Sequence, residues 1–312
     1  MTLPNLFLIG APKAGTTFLY QRLVRHAEIF GPRNKEPAYF LYEGEQRRYR
    51  DRWVQPIDAP RDLAAYSGLY ADAGQSTYAI DASTHYLSSP ETAQRISVAV
   101  PDARIIAILR EPVARAHSHY LMGQRDGMIS EAMEDALTRE IAEMAQPDLL
   151  WSDDYRMIRR SLYHEGLEAF HAGFGSENMR VYLFEDIRSD IAWVLRDLGE
   201  FLGLDLTACL TGPADEGKNP YAANRFPVLT HAFNAYRASR LRAAVNALVP
   251  RFVRDKVRSR FERARTRDAQ KPTLPDGARK ILDEKLGDDY ERALEFARQT
   301  GILRKIPGSG TA

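Results

Sequence analysis

The chain has 312 residues, enough for one large α/β domain or for a domain with a small accessory lobe. Hydrophobic residues make up 44% and charged residues 27%, the range of a globular chain that buries a full core. Its 43 Lys and Arg against 42 Asp and Glu leave a net charge of +1, which excludes a general nucleic-acid coat but not a local cationic pocket.

The first element is a short apolar strand, Leu6 to Ile9, which runs into a turn at Gly10. The stretch before that turn lacks a basic region and a long apolar segment, so no export signal is expected. Thr17 to His26 has helical spacing, with Phe18, Leu19, Leu23 and Val24 on one side. Tyr78–Asp81 reads as a buried strand, followed by a helix over Pro90–Val100. Ile105–Leu109 is a continuous aliphatic run, as a central parallel strand requires. Arg110-Glu111-Pro112 ends it, and Val113–Met122 reads as a helix. Residues 131–145 and 161–173 read as amphipathic helices, Met179–Phe184 as a strand and 189–202 as a helix. Alternating strands and helices predict a three-layer α/β fold, a parallel sheet covered on both faces. After Asp205 comes a polar loop over Gly212–Pro227. Residues 237–267 follow with eleven Lys or Arg and only two acids, and a last helical region starts at Pro272 and runs to about Gln299. The expected organisation is one domain over 1–312, with an α/β core over 1–205 and a closing loop and helical part over 206–312. No apolar run approaches the ~18 residues of a membrane span. The single cysteine, Cys209, cannot form an internal disulfide or a Cys-based zinc site, so a reducing, cytoplasmic location is expected.

Two segments carry the chemistry. Gly10-Ala11-Pro12-Lys13-Ala14-Gly15-Thr16-Thr17 lies between a strand and a helix. Glycines let such a loop fold around an anion with its N–H groups pointing inward, and the helix N-terminus adds partial positive charge. The spacing is that of G-x-x-x-x-G-K-[ST], except that Thr16 stands where the lysine belongs, and Lys13 lies three residues earlier. The second segment follows the central strand, where open parallel sheets bind their ligands. Arg110 sits at the strand end and Ser118 eight residues on, about two helical turns along. An arginine fork and a hydroxyl together suit a second, separate phosphate.

Together these motifs resemble the sulfotransferases that use 3′-phosphoadenosine 5′-phosphosulfate (PAPS), and most closely the heparan-like carbohydrate branch with its bacterial relatives. The resemblance implies that Ala11, Pro12, Lys13, Ala14, Gly15, Thr16 and Thr17 hold the 5′-phosphosulfate, and that Arg110 and Ser118 hold the 3′-phosphate. Lys35-Glu36-Pro37-Ala38-Tyr39-Phe40 resembles the branch's Glu-x-x-aromatic-Phe segment, whose glutamate is taken as the catalytic base. Asp81-Ala82-Ser83-Thr84-His85-Tyr86-Leu87 resembles its acidic-x-Ser/Thr-x-x-Tyr-aliphatic segment, with Ala82 where the animal enzymes often carry lysine. Ser161-Leu162-Tyr163 is similar to a step near the nucleotide, and Gly217-Lys218-Asn219 with Arg225 to the loop that closes over PAPS. The likeness covers roughly residues 4–230.

On this basis the expected activity is sulfuryl transfer from PAPS to a hydroxyl, or an amine, of a glycan or small metabolite. By analogy with phosphoryl transfer, such catalysis is positioning plus charge stabilisation. Lys13 is expected at the leaving 5′-phosphate. Glu36 is the first candidate base, with Pro37, Tyr39 and Phe40 as an apolar wall; Asp81 and His85 are the alternatives. His117 and His119 lie two apart on a helix and so diverge, and no metal requirement is expected. The basic stretch 237–267 reads as a solvated helical face, or as a surface for an anionic acceptor or membrane phospholipid. Trp53, Tyr66, Tyr70, Trp151 and Tyr155 are candidates to line the acceptor pocket. The competing functions are a P-loop kinase or NTPase, and a nucleotide-binding protein without catalysis.

Overall fold

The apolar run at the start forms β1 (Leu6–Gly10), buried along its whole length. The computed structural model describes residues 2–42, 60, 62–145, 156–210 and 270–306, together with the backbone of 47–49, 52–54, 222–224 and 266–268. After β1 come α1 (Thr16–Leu23), β2 (Ile29–Phe30) and a short helix α2 (Tyr39–Tyr42). An antiparallel pair, β3 (Arg47–Tyr49) and β4 (Arg52–Val54), and helix α3 (Leu63–Gly68) lead to β5 (Tyr78–Asp81) and α4 (Glu91–Ala99). Then follow β6 (Arg104–Leu109), α5 (Pro112–Arg125), α6 (Met133–Met144), α7 (His164–Phe174) and β7 (Met179–Leu183). Helices α8 (Phe184–Ser189) and α9 (Ile191–Leu202), the antiparallel pair β8 (Ala222–Asn224) and β9 (Thr266–Asp268), and α10 (Asp276–Gln299) complete the described elements.

Five strands form one parallel sheet in the order β2-β5-β1-β6-β7. From β1 the chain crosses one way, to β2 and β5, and then back past β1 to β6 and β7. Crossovers between parallel strands are right-handed, so this reversal puts α1 on one face and α4 and α7, which lie on the connections running back the other way, on the opposite face. The packing agrees: α1 and α9 both meet the turn Leu206–Leu210, whereas α4 and α7 pack on each other. The reversal also opens a crevice between the carboxyl ends of β1 and β6, the place where such sheets bind ligands. Ile105 to Leu109 of β6 are fully buried, and each of the four Ile and Leu side chains among them contributes ~1.5–3 kcal/mol of burial.

Local chemistry sets the ends of the helices that frame this crevice. Glu111 caps α5, accepting from the N–H groups of Val113 and Ala114, and Pro112 opens the helix where its missing N–H costs nothing. Asp190 leaves the helical conformation at φ −148, ψ 79 and caps α9 by accepting from the Trp193 N–H, so the helix expected over 189–202 is interrupted there. Phe184 starts a helix, so the strand expected through that residue stops at Leu183. The helix expected from 161 starts at His164, because Arg159–Ser161 forms a 3₁₀ turn and Leu162 is extended. Strand β2 and helices α2 and α3 are too short to show a period in the sequence. Helix α10 ties two apolar clusters together: Leu282 and Leu286 pack with Leu137 and Met157, while Ala293 and Ala297 join the cluster around the sheet. The loop expected over Gly212–Pro227 and the basic stretch 237–267 lie outside the described residues, apart from the backbone of β8 and β9.

Candidate functional site

The loop after β1 is built from its backbone. Gly15 sits at φ 84 and opens α1 with no side-chain cap, so the first N–H groups of that helix take no side-chain partner. Glycine suits this left-handed conformation, and a Cβ there would press on the Phe184 ring at 3.1 Å. Lys13 is also left-handed, at φ 68, and the Arg110 guanidinium holds its carbonyl at 2.9 Å. Not every residue of the loop has a donor to offer. The Ala11 N–H is spent on the Ile108 carbonyl, Pro12 has none, and the Ala14 N–H turns back to Ala11. Thr16 is buried and Thr17 exposed.

The Lys13 ammonium lies 3.6 Å from the Met122 sulfur on α5. Burial pushes its pKa down to about 8, with Arg125, Arg110 and Arg115 acting in the same direction and Asp126 against it. A cation already crowded by cations is a site that an anion would relieve. Ser118 is half-buried one helical turn before Met122, on the α5 face that meets the loop. Arg110 lies over the Phe184 ring at 4.5 Å. The structure thus joins Lys13, Arg110 and the loop that opens α1, with Ser118 one helical turn before the Met122 that Lys13 meets.

Behind the loop sits Arg115, fully buried, which no motif singled out. Its guanidinium donates to Pro12 O, Ser161 Oγ and Met157 O, and meets His119 Nδ1 at 3.1 Å. Burial lowers it to about 10, so it is charged at neutral pH. Glu140 fixes the far side by accepting three N–H bonds, from Met157, Ile158 and Arg159. The i, i+4 pairing of Arg115 with His119 was the only trace of this in the sequence. Tyr163 is fully buried rather than facing a ligand, and its hydroxyl donates to the Arg110 carbonyl at 3.0 Å. It therefore supports the end of β6.

The segment Lys35–Phe40 reaches the same crevice. Glu36 Oε1 pairs with Lys35 Nζ at 2.9 Å, and Glu36 Oε2 accepts from Thr84 Oγ1 at 2.9 Å. Lys35 Nζ also lies 3.5 Å from Thr16 Oγ1. One line of contacts so joins the loop after β1, Glu36 and the segment after β5. The apolar wall expected around Glu36 has other work: Tyr39 stacks on Tyr66 at 4.6 Å, and Phe40 packs edge-on to Phe7, Tyr66 and Tyr86.

Asp81 does not face this crevice as a base would. It is fully buried, and it accepts from Tyr66 and Tyr86 on one oxygen and from the Ser83 N–H and hydroxyl on the other. Burial raises it to about 6 against the pull of those bonds. The Ser83 and Tyr86 oxygens in turn accept from the N–H groups of Ala38 and Phe40, so Asp81 braces the segment that carries Glu36. His85 is half-buried, and burial with Arg160, Arg115 and Lys35 nearby holds it well below the usual imidazole range. A base that weak is poorly matched to neutral pH. Tyr66 and Tyr70, expected as acceptor-pocket rings, are core residues with no exposure. Trp151, Tyr155, Lys218 and Arg225 lie outside the described residues, as does the side chain of Trp53. His117 and His119 are both buried, the first near Lys271 and Arg279, the second beside Arg115. Among the described residues no group of three or more His, Cys, Asp or Glu could hold a metal ion. Among them also no helix is long and apolar enough to cross a membrane.

Comparison with known proteins gives a consistent family. The sequence profile described as "Sulfotransferase family" matches residues 4–208. The chain is 27% identical over 208 residues to the bifunctional heparan sulfate N-deacetylase/N-sulfotransferase 4 of Mus musculus, covering 65% of this chain and 22% of that protein. It is 28% identical over 204 residues to the heparan sulfate glucosamine 3-O-sulfotransferase 3A1 of Mus musculus, covering 65% and 46%. The chain thus matches less than half the length of these curated relatives. Among solved structures, a sulfotransferase from Alicyclobacillus acidocaldarius superposes with a TM-score of 0.64 at 24% identity, covering 96% of this chain and 97% of that one. That likeness establishes the α/β fold.

Proposed function

The chain belongs to the sulfotransferase family, and from that premise we propose that it transfers a sulfuryl group from PAPS to an oxygen or nitrogen of a glycan or small-metabolite acceptor. The observation that carries this reading is the meeting of Lys13 and Arg110 in the crevice between β1 and β6, tied by the Arg110 bond to the Lys13 carbonyl. The residues fit a doubly charged nucleotide. A buried ammonium pulled down to about 8 by burial and neighbouring guanidinium groups suits a phosphosulfate. The uncapped N-terminus of α1 adds N–H donors. Arg110 and Ser118 suit the separate 3′-phosphate.

PAPS, when bound, supplies the activated sulfuryl group and a phosphate leaving group. Everything else falls to the chain. Lys13 neutralises charge that develops on the leaving oxygen, with Thr16 and the α1 N–H groups as further donors. Arg115 holds the loop in place through Pro12 and, as a buried cation that among the described residues bonds to carbonyls, a hydroxyl and an imidazole, adds to the positive field behind it. Glu36 takes the acceptor proton, oriented by Thr84. Asp81 and His85 are left out of the proton path. A cytoplasmic location is part of the proposal, on the strength of the single cysteine.

Transfer of labelled sulfate from PAPS across a panel of glycans, lipids and small alcohols tests the proposal and finds the acceptor. Lys13→Ala and Glu36→Gln should each lower turnover by ~10²-fold or more, the usual loss for an electrostatic or proton-transfer partner. Arg110→Ala should act mainly on nucleotide affinity. Near-normal turnover in Glu36→Gln would remove Glu36 as the base.

A further inference from the structure

Lys35 stands between the two halves of the site. It is the residue directly before Glu36, and its side chain is 18% exposed against 39% for Glu36. Its ammonium reaches Glu36 Oε1 at 2.9 Å on one side and Thr16 Oγ1, at the mouth of the phosphate loop, at 3.5 Å on the other. Thr16 is the first residue of α1, so any anion seated on that helix N-terminus lies in reach of the same ammonium. An ammonium is a compact charge on a flexible stem and can serve either oxygen group, at the expense of the other. Glu36 has a second anchor, the Thr84 bond on Oε2, which does not involve Lys35.

We propose that Glu36 and the anion held by the phosphate loop compete for one cation, Lys35, so that donor binding frees Glu36 to accept a proton. The inference rests on the sulfotransferase reading of the site. Its consequence is ordered chemistry: Glu36 Oε1 is occupied by Lys35 until the loop draws that cation away, and only then is it open to an acceptor hydroxyl. The base is thereby coupled to the presence of donor, which guards against idle proton exchange in a site two-fifths open at Glu36.

The test is a double-mutant cycle on binding, read by calorimetric titration with adenosine 3′,5′-bisphosphate. Such a cycle isolates the coupling between two neighbours from their separate effects. Glu36→Gln should tighten binding about threefold to tenfold, because the competitor for Lys35 is gone. Lys35→Met should weaken it by a similar factor, and adding Glu36→Gln to Lys35→Met should then change nothing. Lys35→Arg, which keeps the charge, should restore the coupling, and matching melting temperatures would show that all variants fold. Glu36→Gln that leaves affinity unchanged, weakens it, or tightens it equally without Lys35 overturns the inference. A parent chain that does not bind the bisphosphate at all overturns the sulfotransferase reading itself, a separate and recognisable result.

Discussion

Lys13 carries the most direct residue-level consequence. Its ammonium is lowered to about 8 from an ordinary 10.5, first by burial and then by neighbouring arginines. An anion beside it favours the charged form, so binding raises that pKa and takes up a proton as pH rises above about 8. Affinity for adenosine 3′,5′-bisphosphate should therefore fall as pH rises through 8, and Lys13→Met should flatten that slope. Calorimetry at pH 8.5 in buffers of different ionisation enthalpy reads the proton uptake directly. Asp81 gives a second consequence, with the opposite partner state. Its folded pKa is raised to about 6 from 3.8, so the folded chain keeps a proton that the unfolded chain loses between those values. That contribution to stability is present in full below about pH 3.8 and is lost as pH rises through 6, by roughly 3 kcal/mol over the whole window. The difference in urea midpoint between Asp81→Asn and the parent should therefore change across this window; a constant difference would contradict it. Lys13, Arg110 and Glu36 were legible in the sequence because motif spacing names them. Arg115 was not, because a buried arginine inside a helix looks like any solvated one until its carbonyl partners are known. Asp81 and Tyr163 were placed in the right neighbourhood, but spacing says nothing about which way a side chain turns.

Elements hold these residues through close approaches between backbones. Gly166 in α7 is the tightest case: a Cβ there would lie 1.8 Å from the Leu87 carbonyl oxygen. Gly→Ala in an open helix stabilises by ~0.4–1 kcal/mol through the unfolded chain, so the sign of the effect decides whether this contact matters. We expect Gly166→Ala to destabilise by about 2–3 kcal/mol, since the neighbour is backbone and cannot swing aside. Turnover should drop as well, because the displaced turn Tyr86–Ser88 begins two residues after Thr84, the partner of Glu36. Urea unfolding and a turnover measurement check both, and a variant as stable as its parent would sink the claim. Gly10 makes a similar approach, with a would-be Cβ 2.8 Å from Leu87 and 3.0 Å from the Thr84 carbonyl, so the loop and the Thr84 segment are packed as one. The long elements were readable because β6 is a continuous aliphatic run and α5 starts at Glu-Pro. The breaks at Asp190 and at Arg159–Leu162 were not, because a one-residue cap or a 3₁₀ turn hardly disturbs a helical period.

At the scale of the molecule, a net charge of +1 conceals a strongly uneven distribution. Lys13, Arg110 and Arg115 converge at one end of the sheet, and Arg160, also buried, donates to the His85 carbonyl and Ser88 hydroxyl behind them. Such a field draws a multiply charged anion and costs stability in its absence, which makes ligand-dependent stabilisation the natural probe. The order β2-β5-β1-β6-β7 explains why the field gathers there: the reversal of crossovers beside β1 brings together two loops whose bonded residues, Lys13 and Arg110, stand 97 apart in sequence. The most direct measurement is thermal melting of the intact chain with adenosine 3′,5′-bisphosphate and, in parallel, with ATP and Mg²⁺. At a hundred times its Kd a ligand specific for the folded state adds about 2.7 kcal/mol. A clear rise in Tm with the bisphosphate and none with ATP and Mg²⁺ is the predicted result; stabilisation by ATP and Mg²⁺ alone would contradict the account.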